Sequence, residues 1–292
     1  MSIAVDAGGR HRREIEAIGV RTGVLSDIAA GAGQIWRGVR AEAVRSGGLR
    51  GVLLLAAFPA GVLVPLLVTF AIAFAFERIA NFDTTDITVT ETTTTNSVYW
   101  VMYFTVAVGT ITAAFAQASA MRGPGRDLDR YLYPRTWTSP LGRWIYYGLL
   151  TAVASLVLIT VIMATLGPLF PTVYSQVDLT SDAGVRFLIT VPILSFFACG
   201  MGVGVAAVIG SPAASIAFLL LWIFLIEEAI YLVPNGMKIQ AYMPFLNGIW
   251  STGQEIVIDP TWGKDGALIY FGLVSIGVFL IGMAVLALRR RN

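Results

Sequence analysis

Residues 121–144 read MRGPGRDLDRYLYPRTWTSPLGRW. The stretch is a mostly basic interruption between two apolar runs, with five arginines (Arg122, Arg126, Arg130, Arg135, Arg143) against two acids (Asp127, Asp129). Tyr131, Leu132, Tyr133 and Trp137 stand among these charges, where a plain tether needs no aromatics. Each flanking run is about 20 residues or longer, the length that spans a bilayer. A polar segment between two such runs is a loop at a membrane face, and that reading sets the class of the whole chain.

The remainder of the chain agrees. Of 292 residues, 56 % are hydrophobic and 13 % charged, and the mean hydropathy is +0.74; soluble domains carry roughly a quarter charged residues. Continuous rather than alternating apolar runs predict helices and not barrel strands. The predicted fold is therefore an all-α integral membrane protein with six transmembrane helices. Their limits are Leu49–Phe76, Ser97–Ala120, Leu141–Gly167, Arg186–Ile209, Ala213–Val233 and Gly266–Leu288, together a transmembrane domain over 49–288. Pro59 and Pro65 predict a kink or local unwinding in the first span, tolerated where neighbours satisfy the freed carbonyls.

Ahead of the spans, residues 1–23 read as a polar cytosolic tail. Over 24–46, Leu25, Ile28, Ala29, Ala32, Ile35, Trp36, Val39 and Ala43 share one helical arc, with Asp27, Gln34, Arg37 and Arg45 opposite. That stripe predicts an amphipathic helix lying in the membrane interface, the alternative being a solvent-exposed helix packed on a partner.

Arginine and lysine bias gives the orientation. Sixteen basic residues fall in the N-terminal segment, 121–144 and the C-terminus, against Arg78, Arg186, Lys238 and Lys264 elsewhere. Asp83, Asp86, Glu91, Asp178, Asp182, Glu255, Asp259 and Asp265 all fall in the basic-poor connections. Both termini are expected inside, in a multi-pass protein of the cytoplasmic (inner or plasma) membrane. The segment 234–265 is too apolar for a water-exposed loop, with Ile239, Tyr242, Met243, Phe245, Leu246, Ile249 and Trp250 around Pro244. It is expected to fold back onto, or dip into, the outer face as a re-entrant segment.

Several chemistries are excluded. One histidine (His11) rules out a His-pair metal site or a Ser–His dyad within the membrane, and one cysteine (Cys199) rules out an intrachain disulfide. The phosphate-binding pattern GxxxxGK[ST] is absent; Lys264 is followed by Asp265 and lacks the earlier glycine. No catalytic residue, metal ligand, cofactor of its own or nucleic-acid partner is expected.

Glu227 and Glu228 stand inside the fifth span, where a charge in hydrocarbon is costly. They read either as pathway or gating residues or as buried structural hydrogen-bonding groups. On the second span Thr105, Gly109, Thr112, Ala116 and Ser119 form a stripe of small residues, read as close helix packing or as lining of a substrate route. Gly200, Gly202 and Gly204 in the fourth span read as packing. Ser139 is placed to cap the third span, with Pro140 at its first helical position.

The layout resembles the permease subunits of ABC-2-type ABC transporters: an interfacial helix, six spans and one large inner loop after the second. Thr138-Ser139-Pro140-Leu141-Gly142-Arg143-Trp144 is similar to the family's turn from inner loop into third span. Trp222-Ile223-Phe224-Leu225-Ile226-Glu227, followed by Tyr242-Met243-Pro244-Phe245, is similar to its fifth span and outer re-entrant segment. Gly123-Pro124-Gly125-Arg126-Asp127 stands where the family commonly has acid–Arg and Gly–Thr residues. The resemblance implies an exporter permease for an amphipathic or lipid-like substrate such as a drug, lipid or lipid-linked compound. It implies two copies of a separate P-loop ATPase that binds ATP and Mg, and a second permease copy or paralogue. Arg126, Arg130, Tyr131, Leu132, Tyr133 and Trp137 would then couple to the ATPase. Thr105, Thr112, Phe218, Trp222, Glu227, Glu228, Tyr242 and Phe245 would line the substrate pathway or gate. The alternative is an ATP-independent, proton-coupled secondary carrier using Glu227 or Glu228.

Overall fold

The computed structural model describes residues 31–48, 51–81, 91–256, 258 and 260–291. The 1–23 tail, residues 24–30 of the expected amphipathic helix and most of the Thr-rich connection lie outside the described residues. Helices follow one another as α1 (31–45), α2 (Leu53–Ala80), α3 (Thr94–Ala120), α4 (Pro124–Leu132) and α5 (Thr138–Leu169). They continue as α6 (Asp182–Ile209), α7 (Pro212–Leu232), α8 (Gly236–Gln240), α9 (Pro244–Ser251) and α10 (Gly263–Arg291). Six of them, α2, α3, α5, α6, α7 and α10, are long and apolar enough to cross a membrane, and the described residues contain no strand.

The centre of the bundle is α6. Its start is set by Ser181, whose side chain accepts the Gly184 N–H, with Asp182 in the first turn where a carboxylate suits the helix dipole. Its end is set by Gly210, left-handed at φ 76°, which leaves only Gly210 and Ser211 before Pro212 opens α7. The glycines pack as expected, and each meets a different neighbour. A Cβ on Gly200 would run into the Trp144 ring of α5, one on Gly202 into the Thr110 carbonyl of α3, and one on Gly204 into the backbone of α10 at Val278 and Phe279. Small residues here let three helices approach the same mast closely.

Within α2, the two prolines produce a π-helical turn over Pro59–Leu63, where Val64 N–H bonds back to the Pro59 carbonyl. Pro65 has no N–H to give to Gly61, four residues earlier. The Thr105 hydroxyl of α3 donates to that carbonyl at 2.8 Å. A similar π turn, Trp222–Ile226, widens α7 just before Glu227.

The third span begins earlier than expected. It starts at Thr138 with Trp137 as cap residue and no side-chain cap bond. Ser139 does not cap it, because its hydroxyl donates to Asp129 instead. At 32 residues α5 is about 48 Å long, against roughly 30 Å of hydrocarbon. Its first turns therefore extend beyond an apolar layer. Both ends of the described chain reach this same end of the bundle: α1 touches α5, and Arg290 donates to the Tyr133 carbonyl. We call this the basic end and the opposite one the acidic end.

Helix α1 docks by neither its apolar arc nor its charged side. Gly31, Gly38, Glu42 and Ser46 are buried, while Trp36, Arg37 and Arg40 are exposed. Gly38 and Gly142 bring the two backbones so close that a Cβ on Gly142 would lie 2.9 Å from the Gly38 carbonyl carbon. The apolar arc, with Ala32, Trp36, Val39 and Ala43, faces sideways and is left uncovered or half covered.

Candidate functional site

At the basic end α4 is the only helix among the described residues that belongs to a connection. Pro124 starts it, Asp127 lies in its first turn and Arg130 in its last, the charge order a helix dipole favours. Gly123 precedes it at φ 58°, a conformation that suits glycine.

One face of α4 points inward. Asp129 Oδ1 accepts from Arg143 Nη2 and from Ser139 Oγ, each at 2.9 Å. Arg143 is 2 % exposed, and its guanidinium divides itself among three helices. Beyond Asp129 it donates from Nε to Glu42 of α1 at 3.2 Å and from Nη1 to Gln117 of α3 at 2.9 Å. Tyr147 OH donates to the second oxygen of Glu42, and Arg45 lies 3.5 Å from Glu42 and 3.7 Å from Asp129. Two carboxylates and two guanidinium groups thus balance in a cluster that joins α1, α3, α4 and α5, buried at Arg143, Glu42 and Asp129 and open to solvent at Arg45. A buried pair of this kind is expensive to break, since one partner removed leaves the other charged and dry.

The other face of α4 points outward. Tyr131 is 85 % and Leu132 51 % exposed, and Trp137, just beyond the helix, is 39 % exposed with its ring near Gly31. The coupling residues separate accordingly. Tyr131, Leu132 and Trp137 are available to a partner. Tyr133 is not: it is buried on the inner side, where burial first and the Asp129 carboxylate second raise its phenol pKa above the usual value. Arg126 and Arg130 border a recess beneath the helix.

The expected pathway residues also separate. Thr105 is buried and engaged with Gly61, and Thr112 donates to the Val108 carbonyl of its own helix. Both border an apolar groove of about 350 Å³ between α2, α3 and α5. Phe218 and Trp222 stack on each other along α7, ring centroids 5.7 Å apart. The second and fifth spans are in direct contact, Ala114 and Ala118 of α3 packing against Leu219 of α7.

At the acidic end Glu227 is wholly buried and its carboxylate is fully occupied. It accepts the Trp222 indole N–H at 2.6 Å and the backbone N–H groups of Phe245 and Leu246 at 3.2 and 2.8 Å. Those amides are the free N–H groups at the start of α9, so Glu227 caps that helix from another element. Phe245 is buried against Phe271, whereas Tyr242 is 56 % exposed and gives its carbonyl to Tyr270. Glu228 points elsewhere: it accepts Tyr103 OH at 2.6 Å in a cavity of about 500 Å³ with Tyr99 and Tyr231. Arg186 ties this end together, donating to the Ser251 carbonyl and to Asp265.

The Arg143 cluster was not anticipated from the sequence. Its signal was present only as a buried-type spacing, Ser139, Arg143 and Tyr147 at every fourth position of one helix. Compared with protein-family models, with curated proteins and with solved structures, the chain matches none.

Proposed function

We propose that this chain is the membrane permease subunit of an ABC-2-type exporter, driven by a separate P-loop ATPase. The observation that carries the reading is α4: a short helix that exposes Tyr131 and Leu132 while its Asp129 is bolted to Arg143 of a 32-residue helix. A push on the exposed face has no slack to take up before it reaches α5, which is what a coupling element requires. The arginine-rich end would lie in the cytoplasm by the positive-inside rule. A second permease copy would pack on α2 and α7, the two spans least buried against the rest of the chain.

The cargo would be amphipathic or lipid-like, in keeping with the apolar groove bordered by Thr105 and Thr112. Segment 234–265, with α9 capped by Glu227, would close the outer side as a re-entrant gate. The proton-coupled carrier is the weaker reading, because three donors already hold the Glu227 carboxylate in place.

The test is co-purification with a co-expressed P-loop ATPase subunit from the same genome, together with substrate-stimulated ATP hydrolysis. Tyr131→Ala/Leu132→Ala should weaken the complex by at least roughly tenfold, the loss expected of interface anchors. Full retention of both binding and coupled hydrolysis in that variant would sink the proposal.

A further inference from the structure

Beneath α4 the ends of α3, α6 and α10 leave a recess of about 410 Å³. Arg126 and Arg130 enter its wall from α4, and Arg289 and Arg290 from α10, over a floor that includes Ile209 and Leu286. Arg126 and Arg130 are four residues apart, hence on one helix face, and address the recess from the same side. Among the described residues the guanidinium group of neither makes a hydrogen bond or an ion pair.

The other two arginines are held but not neutralised. Arg289 donates to the carbonyls of Ala207 and Val208, and Arg290 to the carbonyl of Tyr133. The acid on the wall, Asp129, is already engaged with Arg143 and Ser139. Four guanidinium groups therefore converge on one recess, and the described residues lining it supply no free carboxylate to balance them. Like charges held together in this way repel, and a multiply oxygenated anion relieves the repulsion while using the planar forks of arginine.

The level of the recess narrows the ligand further. It opens where the apolar lengths of α6 and α10 end, and beside it Val208 and Leu288 turn apolar side chains outward. We infer that the recess binds a phosphate group, carried by an anionic phospholipid whose acyl chains run along Val208 and Leu288. The inference needs neither an ATPase nor transport, so it stands or falls apart from the exporter reading. It also gives Arg126 and Arg130 a task distinct from that of Tyr131 and Leu132, which face away from the recess.

The experiment uses the full chain in detergent, titrated with phosphatidylglycerol, phosphatidylcholine or inorganic phosphate, with bound species read by native mass spectrometry. Phosphatidylglycerol should be retained in preference to phosphatidylcholine. Its affinity should fall about fivefold for each arginine removed, hence roughly 25-fold in Arg126→Gln/Arg130→Gln. Arg37→Gln/Arg40→Gln, an equal loss of charge on the exposed side of α1, should leave it unchanged. A matching thermal unfolding curve for the Arg126/Arg130 variant checks that the fold is intact. Displacement of phosphatidylglycerol by inorganic phosphate at comparable concentration would support a phosphate site and overturn the lipid as its source. Equal retention of the two lipids, or equal affinity in the Arg126/Arg130 variant and the unmodified chain, overturns the inference.

Discussion

The two ends of the bundle solve one problem in opposite ways. Each must fasten a short connecting helix to the long ones, and each uses a buried acid to do so. At the basic end Asp129 sits on the short helix and meets the Arg143 guanidinium, itself shared with Glu42 and Gln117. At the acidic end Glu227 sits on the long helix and meets only neutral donors, the indole of Trp222 and two amides of α9. The placement decides what is left over. Bonding through a side chain on one face leaves the opposite face of α4 free for a partner. Bonding through the helix start lets α9 sink, with Phe245, Leu246 and Ile249 buried. One end presents a surface, and the other closes one.

The difference can be broken by substitution, and the largest effect belongs to the charge cluster. Arg143→Leu leaves Glu42 and Asp129 buried with only the longer, solvent-exposed contacts of Arg45, and should cost about 3–5 kcal/mol. Thermal unfolding in detergent measures this, and proteolysis should nick 121–137 first. A loss no greater than that of Glu227→Gln would contradict the asymmetry. Glu227→Gln retains an acceptor but turns an amide toward the α9 N–H groups, and about 1–3 kcal/mol should be lost. Faster hydrogen exchange confined to the amides of 244–251 is the expected signature; unchanged exchange there would remove the capping role.

Next in size, Gly202→Ala presses a methyl group onto the Thr110 carbonyl. Overpacking of that kind costs about 1–3 kcal/mol and, unlike the two charge variants, should loosen both ends equally. The smallest effect concerns Asp178, which accepts from the backbone N–H and the hydroxyl of Thr180. The backbone bond and then the side-chain bond hold its carboxyl below the ordinary value of 3.8. Its contribution is present above that value and fades as pH falls through the lowered one. Asp178→Asn should therefore remove a small contribution throughout the neutral region and flatten the acid limb of a stability–pH curve, so that the two proteins converge at low pH.

Apolar length made the six spans legible, because about 20 continuous apolar residues have few other uses. The glycines of α6 were legible for the same reason: small residues in a span mark close approach. Arg143 was not. In the sequence it is one more arginine in a basic stretch, and its partner Glu42 lies 101 positions away. Only the folded chain shows that Ser139, Arg143 and Tyr147 face inward. Glu227 stood open between a pathway and a structural role for a related reason. What occupies it is the backbone of residues 245 and 246, and a backbone amide has no letter in the sequence. Pro244, a helix-start residue, was the only local hint. Tyr133 was grouped with its neighbours by proximity in the chain, although a helical turn puts it opposite Tyr131.

The bond from Thr105 to Gly61 makes two distant positions answer to each other. Proline at 65 silences the amide that would have served the Gly61 carbonyl, so a hydroxyl on the neighbouring helix speaks for it. In hydrocarbon no water can stand in. The pair should therefore behave as a lock with two keys in genetic terms: Thr105→Val harmful beside Pro65, and harmless once Pro65→Ala gives the helix back its own donor. Thr105→Val alone reads as damage local to α3, whereas the double exchange reveals that its cost is set by a proline on α2.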